Sequence, residues 1–301
     1  MNILVYAFAF GAVAVLMPAV LRLSAVLGAV DVPDGGRKRH RQPTARLGGL
    51  AIFTVFFAAS AVAFPLTDGR VCALLSGGTV LFAAGLCDDV RPLPPSVKLL
   101  FQAGASACAL LWLPYPTALT VGTLTLPLAP ALSFALCLFL CLCLINAINF
   151  IDGVDAQAAG ILCVGLVTLS LLYGEQIGRG LCLLITVCLL SFLLYNRPPA
   201  LVFMGDGGSQ FLGLAAAVLL LTREPSLASG SLLLFAVPLL DLAFGCVRRL
   251  AHGKSPFQAD GGHLHHRLLR RGFSPAATAA LMTAFSVCFA LVGYGLCLGT
   301  A

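Results

Sequence analysis

The stretch Ile145-Asn-Ala-Ile-Asn-Phe-Ile-Asp-Gly-Val-Asp-Ala-Gln-Ala-Ala-Gly160 places four polar side chains between two long apolar runs. These are Asn146, Asn149, Asp152 and Asp155, spaced three residues apart. At helical spacing they form a slowly drifting stripe on one face. Amides and carboxylates facing hydrocarbon are costly, so we expect the stripe to face water, protein or a ligand. Because no basic residue lies among them, a metal ion or cations from elsewhere in the chain must neutralise the two acids.

The composition around this stretch is that of an integral membrane protein. Of 301 residues, 59% are hydrophobic and 10% are charged, whereas soluble domains carry about 25% charged residues. Apolar runs recur along the chain, which favours spanning helices over a barrel. Most of the twelve cysteines lie inside these runs without a Cys-x-x-Cys pair. We interpret them as packing residues rather than disulfides or metal ligands.

We predict an all-α integral membrane protein that forms a single polytopic domain over residues 1–301. About ten transmembrane helices are expected, at 3–21, 47–64, 71–87, 98–114, 129–148, 157–173, 177–195, 208–222, 231–249 and 275–298. Residues 115–130 alternate around a glycine and favour a short periplasmic β-hairpin.

The distribution of charge orients these helices. Loops 22–46, 88–98, 196–209 and 248–274 hold fifteen of the eighteen Lys and Arg residues, which predicts that they are cytoplasmic. With ten spans, both termini then lie in the periplasm. Eight of the twelve acids also fall on the cytoplasmic side. Because orientation requires no acids, this face is predicted to carry a site.

Two of the predicted cytoplasmic loops carry charged residues that could form part of a binding site. The first holds Arg37, Lys38, His40 and Arg46, which can bind phosphate or anionic lipid headgroups; an ordinary topology signal is the alternative. In the second, Asp88-Asp89 ends a span and Lys98 opens the next. Acids at a helix C-terminus oppose the macrodipole, which indicates another requirement for them. One acid can meet a cation while the other takes a proton, although solvated loop acids are an equally good explanation.

Two further segments complete the set. In Phe203-Met-Gly-Asp-Gly-Gly-Ser209, the backbone N–H groups of a helix start suit an anion and Asp206 suits a hard cation, unless Asp206 only caps a glycine turn. Asp241 lies inside a span, where Arg248, seven residues on, favours an ion pair. A basic segment then contains His263, His265, His266 and Arg267. Its spacing lacks the His-x-x-x-His pattern of zinc sites and fits a polyphosphate better.

Together these segments supply carboxylates for a divalent metal, cations for phosphates and a site at the lipid–water boundary. This combination indicates transfer of a phosphorylated group from a soluble nucleotide donor to a lipid. A transporter or flippase is the alternative, although no internal repeat is visible and only Asp241 lies deep in a span. The pI near 8.8 follows from topology, and no nucleic-acid partner is expected.

The order of the motifs points to one family. Arg-Lys-x-His…Pro-Thr-x-Arg-Leu-Gly-Gly, Asp-Asp…Lys, Asn-Ala-x-Asn-x-x-Asp-Gly-x-Asp, Phe-Met-Gly-Asp-x-Gly-Ser and Ser-Pro-Phe…Asp…His-Leu-His-His-Arg-Leu occur between about residues 31 and 273. In these motifs the chain resembles the polyprenyl-phosphate N-acetylhexosamine-1-phosphate transferases of glycosyltransferase family 4. The last motif is similar to the WecA/TagO branch rather than to the related MraY.

The resemblance implies a reaction in the bacterial cytoplasmic membrane. N-acetylhexosamine-1-phosphate, with N-acetylglucosamine the expected sugar, passes from a UDP-sugar to undecaprenyl phosphate. UMP is released, and lipid-linked synthesis of a cell-envelope glycan begins. Mg²⁺ is the implied cofactor, with Mn²⁺ as a substitute. Membrane lipid surrounds the protein, and a homodimer is the candidate assembly.

The resemblance also implies roles for individual residues. Asp206 and Asn149 match metal-contacting positions. Asp88 matches the acid that deprotonates or positions the lipid phosphate, and Asp89 and Asp152 complete the catalytic set. Asp155 matches a residue near the uracil. The remaining substrate-binding residues are Lys98, Arg37, Lys38, His40, Arg46, His263, His265, His266 and Arg267.

The central motif departs from the family at two positions, where Ala156 and Gln157 replace glycine and leucine. A methyl group at position 156 is unfavourable if that residue needs a positive φ. Gln157 puts an amide where the family has an apolar contact. A non-catalytic homologue is therefore a further alternative.

Overall fold

The computed structural model describes residues 3–32, 43–223, 226–255 and 261–299, and in them the chain is mostly helical. The helices are α1 Ile3–Leu27, α2 Gly48–Ala63, α3 Gly69–Val90, α4 Pro95–Leu110, α5 Pro130–Ile151, α6 Gln157–Leu172, α7 Gln176–Asn196, α8 Gly205–Leu221, the short α9 Ser229–Leu232, α10 Ala236–Ala251, α11 Leu264–Arg270 and α12 Pro275–Gly299. A 3₁₀ turn, Leu233–Phe235, joins α9 to α10.

Each predicted span falls on a helix, but not every helix has the length of a full span. Among the described residues, six segments are long and apolar enough to cross a membrane: α1, α3, α5, α7, α12 and the continuous segment Ser229–Ala251. α2, α6 and α8 are shorter apolar helices. The chain is thus a multi-pass membrane protein, while the count of about ten spans is not confirmed.

The shortness of α8 follows from its position at the centre of the bundle. Every residue of α8 except Asp206 is buried, so protein rather than lipid surrounds it. Small residues let neighbouring backbones approach it closely. A Cβ added to Gly85 of α3 would lie 2.5 Å from Gly207 Cα, and one added to Gly213 would lie 2.5 Å from Ile145 Cα. Helices α3 and α5 are therefore held against α8 at close range.

Two small sheets correct the all-α prediction. The predicted hairpin is confirmed as β3 Ala118–Val121 and β4 Leu124–Pro127, paired antiparallel. A third strand, β5 Ser226–Ala228, pairs with β3 in parallel. The sequence did not predict this strand, because three residues are too few to show an alternating pattern. The second sheet pairs β1 Val30–Asp31 with β2 Thr44–Ala45.

Two of the three cations outside the predicted cytoplasmic loops, Arg70 and Arg179, join helix ends. Arg70 forms ion pairs with Asp68, at 2.7 Å, and with Glu175. Asp68 also caps the start of α3 by accepting from Arg70 N. Arg179 donates to the carbonyl oxygens of Ser170 and Tyr173 at the end of α6. These contacts stabilise loops and are separate from the acids described next.

Candidate active site

A lysine joins two of the predicted acids where α3, α4 and α8 meet. Lys98 Nζ lies 2.5 Å from Asp88 Oδ2 and 2.9 Å from Asp206 Oδ2. Asp88 is at the end of α3, Lys98 is in the first turn of α4, and Asp206 is in the first turn of α8. Asp88 Oδ1 also accepts from Leu93 N at 2.6 Å, which fixes the carboxylate. The packing of the helices thus brings Lys98 and Asp206, which are 108 positions apart in sequence, into direct contact.

Asn149 brings α5 into the same cluster. Its Nδ2 donates to Asp206 Oδ1 at 3.1 Å and to Ser209 Oγ at 2.9 Å. Because both contacts use the amide nitrogen, Oδ1 is the atom that can face a cation. Carboxylate and amide oxygens are suitable ligands for Mg²⁺. Lys98, Asp88, Asn149 and Asp206 are called the polar cluster below.

Asp89 lies next to the polar cluster and binds the backbone at the start of α8. Its two carboxylate oxygens accept from the backbone N–H groups of Asp206, at 2.8 Å, and Gly207, at 3.0 Å. A carboxylate at a helix N-terminus satisfies donors that have no partner within the helix and complements the macrodipole. Arg46 approaches the same carboxylate, with Nη2 3.9 Å from Oδ1. Asp89 therefore fixes the start of α8, and with it Asp206.

Asp152 and Asp155 lie in the turn that follows α5. Burial, followed by repulsion from the carboxylates of Asp206 and Asp89, raises the pKa of Asp152 to about 8. A cation brought close to this carboxyl group would lower that pKa. Asp155 Oδ2 accepts from Ala200 N at 3.0 Å, which joins this turn to the segment between α7 and α8.

Ala156 has a positive φ, the backbone geometry that is unfavourable for a residue with a side chain. Its φ of 64° and ψ of −8° are left-handed, and it is the N-cap of α6. Its N–H donates to Asn196 Oδ1 at 2.8 Å, and Asn196 Nδ2 donates to Val202 O at 2.8 Å. These bonds hold the strained turn in place.

We expect Ala156→Gly to stabilise the protein by about 1 kcal/mol, because a left-handed L-residue costs roughly 1–2 kcal/mol and part of the gain is lost to the freer unfolded chain. Thermal unfolding in detergent measures the effect. Ala159→Gly, inside α6, is the matched control and should be destabilising. An Ala156→Gly variant that melts at or below the wild-type temperature would contradict the prediction.

Gln157 is a buried amide without a hydrogen-bond partner among the described residues. Its exposed fraction is 0%, and both Nε2 and Oε1 are unsatisfied there. An unsatisfied buried polar group keeps the cost of leaving water. This is the position where the family resemblance implies leucine, so the departure has an energetic consequence in this chain.

Replacing Gln157 with leucine is therefore expected to raise the free energy of unfolding by about 1–3 kcal/mol. A buried glutamine that has a partner provides the contrast. Gln210 accepts from Gln102 Nε2 at 3.2 Å, so Gln210→Leu should be destabilising. Denaturation of both variants under one condition tests the pair, and the same sign for both would refute the explanation.

The histidine segment packs against the turn after α5. Asp241 accepts from His263 Nδ1 and from Leu264 N, each at 2.8 Å. His263 is therefore a hydrogen-bond partner of Asp241, whereas the sequence favoured an ion pair with Arg248. A Cβ added to Gly153 would lie 2.8 Å from His265 Nε2. Asp241 thus places the segment beside the turn that carries Asp152 and Asp155.

The histidines differ in what they can bind. His265 is 1% exposed. Burial, followed by the neighbouring His266, lowers the pKa of His265 to about 3. The lowered pKa favours the neutral imidazole, which can donate or accept a hydrogen bond, and an anion brought close to it would raise that pKa. The His266 ring lies 4.1 Å from it, centroid to centroid, and Arg267 is exposed one residue further on.

The sequence predicted most residues of this site, but it did not predict all of the contacts that hold them. The predicted residues Arg37, Lys38 and His40 lie outside the described residues. Ser209 and Asn196 were not predicted, although Ser209 lies three residues after Asp206 and could have been found from helical spacing. Asn196 carried no signal, because its contacts depend on how α7 meets the turn after α5.

The fold and the site define a class of protein: a multi-pass helical membrane protein with a carboxylate, amide and lysine cluster at its helix ends. Residues 71–224 match Glycosyl transferase family 4. The chain belongs to glycosyl transferase family 4, which confirms the family predicted from the motifs.

Three relatives illustrate the match. The "Probable undecaprenyl-phosphate N-acetylglucosaminyl 1-phosphate transferase" of Bacillus subtilis is 33% identical over 277 residues, which cover 87% of this chain and 75% of that protein. The "Decaprenyl-phosphate N-acetylglucosaminephosphotransferase" of Mycobacterium tuberculosis H37Rv is 35% identical, with coverage of 84% and 72%. The "Undecaprenyl-phosphate alpha-N-acetylglucosaminyl 1-phosphate transferase" of Escherichia coli K12 is 27% identical, with coverage of 89% and 76%.

Proposed function

We propose that this protein transfers N-acetylglucosamine-1-phosphate from a UDP-sugar to a polyprenyl phosphate, with undecaprenyl phosphate as the acceptor, and releases UMP. The observation that carries the proposal is the polar cluster, in which Lys98 joins Asp88 to Asp206 and Asn149 contacts Asp206. The relatives, whose names describe this transfer, support the choice of substrates.

The chemistry explains why such a cluster is needed. An anionic lipid phosphate must attack the sugar-side phosphorus of an anionic diphosphate, so the two reactants repel each other. Phosphoryl transfer is catalysed mainly by positioning and by neutralising this charge. Lys98 supplies one cation at the cluster. In the proposed roles, Asp88 positions the lipid phosphate or takes its proton, and Asp89 positions the start of α8.

Mg²⁺, with Mn²⁺ as a substitute, fits the donor set. Asp206 and Asn149 would hold the ion through oxygen atoms, and it would offset charge on the diphosphate. Within the described ranges, no group of three His, Cys, Asp or Glu side chains could hold a metal. Mg²⁺ usually binds proteins through one or two carboxylates together with water and substrate phosphates.

The donor is proposed to bind between the cluster and the histidine segment. Asp155 is assigned to the uracil side, and His266 and Arg267 to the nucleotide phosphates and sugar. Neutral His265 can act as a hydrogen-bonding group, and His263 is held by Asp241. Arg37, Lys38, His40 and Arg46 are assigned to phosphate groups. The site is proposed to face the cytoplasm across a bacterial inner membrane, with both termini in the periplasm.

The proposal is tested with purified protein in membranes that contain undecaprenyl phosphate. A panel of UDP-N-acetylhexosamines is supplied with Mg²⁺, UMP release is measured, and mass spectrometry identifies the lipid product. We expect UMP release and a lipid-diphosphate product with UDP-N-acetylglucosamine. Absence of UMP release with every donor would overturn the proposed function.

A further inference from the structure

Three side-chain amides lie beneath the polar cluster and connect the same helices. Asn146 Nδ2 donates to Gln102 Oε1 at 2.9 Å, and Gln102 Nε2 donates to Gln210 Oε1 at 3.2 Å and to Asn146 Oδ1 at 3.4 Å. Asn146 Nδ2 also donates to Leu142 O at 2.8 Å. Gln102 and Gln210 are each 3% exposed. We call Gln102, Asn146 and Gln210 the amide layer.

The amide layer is in register with the polar cluster. Each amide lies one helical turn from a cluster residue on the same helix: Gln102 and Lys98 on α4, Asn146 and Asn149 on α5, and Gln210 and Asp206 on α8. Side chains three or four residues apart occupy one helix face, so each amide lies about 4.5–6 Å along its helix from the cluster residue and deeper in the bundle. The same three helices are therefore cross-linked at two successive levels.

Packing alone does not require amides at this depth. Leucine or methionine would fill the space without removing polar groups from water. Hydrogen bonds differ from apolar contacts in being directional, and a fully paired polar network specifies one arrangement of a buried interface. The reciprocal pair between Gln102 and Asn146 uses the nitrogen and the oxygen of both amides, so rotation of either helix would break it.

We infer that the amide layer is a set of positioning residues that fixes the rotation of α4, α5 and α8, and thereby the separation of Lys98, Asn149 and Asp206. The inference rests on the proposed function, in which these three groups act on one phosphoryl transfer. Displacement of a reacting group by about 1 Å can lower a rate on the order of 10²-fold. The layer is thus expected to affect turnover without touching substrate.

The test separates positioning from packing. Gln102→Leu leaves partners unpaired and should lower both the melting temperature and kcat. The triple variant Gln102→Leu, Asn146→Leu, Gln210→Met has no unpaired amide, so its melting temperature should return close to the wild-type value. If the layer positions the cluster, kcat of the triple variant stays lower on the order of 10²-fold, while KM for the UDP-sugar is nearly unchanged.

A control and a second readout complete the experiment. Ser106 is fully buried one turn beyond Gln102 on α4, and Ser106→Ala should keep the wild-type kcat. Hydrogen exchange of the amides at 205–210 should be faster in the triple variant than in the wild type. A triple variant with wild-type kcat overturns the inference. If the wild-type protein itself releases no UMP, the proposed function fails, and unchanged exchange at 205–210 then overturns the inference separately.

Discussion

Asp206→Asn is expected to lower kcat on the order of 10²–10³-fold, the usual cost of one well-placed charged contact in a transition state. Asp206 accepts from Lys98 Nζ at 2.9 Å and from Asn149 Nδ2 at 3.1 Å, so its charge organises the polar cluster. An asparagine has the same shape but removes the negative charge that the proposed metal ion and the lysine both require. The start of α8 is kept, because Asp89 still binds the backbone N–H groups there.

The matched control is Asp68→Asn on the opposite side of the bundle. Asp68 also pairs with a cation, Arg70, and caps a helix, a role in which asparagine is equally effective. Its kcat should stay at the wild-type value. UMP release is measured for both variants, together with elution as a folded protein in detergent. Near-normal turnover of Asp206→Asn would remove Asp206 from the proposed metal site.

The second large effect is expected at Gly205, where the backbone turns into α8. Its φ is +78°, and a Cβ there would lie 2.1 Å from Arg46 O and 2.6 Å from Asp89 Oδ2. Gly205→Ala therefore combines left-handed strain, about 1–2 kcal/mol, with a clash that costs about 1–3 kcal/mol. The clash displaces the carboxylate that fixes the start of α8, so we expect transfer activity to be lost along with stability.

Gly104→Ala is the control for this substitution. Gly104 lies inside α4, and a Cβ there meets nothing within 4 Å. Alanine at a helical position is favoured over glycine by about 0.8–1 kcal/mol, so this variant should be at least as stable as the wild type. Thermal unfolding and UMP release are measured on both. A Gly205→Ala protein with wild-type stability would show that the turn tolerates a side chain.

Helical spacing in the sequence was enough to anticipate parts of the site and not others. The acids at 88–89 were recognised because carboxylates at a helix C-terminus oppose the macrodipole, and Asp206 because a carboxylate among glycines at a helix start suits a hard cation. The concern about Ala156 is confirmed by its positive φ, since the turn between α5 and α6 is set by local geometry. The lowered pKa of His265 was not anticipated, because it depends on burial against neighbouring elements and on the nearby His266.

The sequence by itself determined the apolar helices, the β3–β4 hairpin and the family, because hydropathy, turn chemistry and motif order are properties of local segments. Only the tertiary structure decided the partners: Lys98 between Asp88 and Asp206, Asp89 at the start of α8, and His263 rather than Arg248 on Asp241. Such partners depend on the rotation and depth at which helices pack, which hydropathy does not encode. The stretch from Ile145 to Gly160 shows both contributions. Its spacing predicted a polar stripe, but only the packing of α4 and α8 gave Asn146 a partner in Gln102 and Asn149 a partner in Asp206.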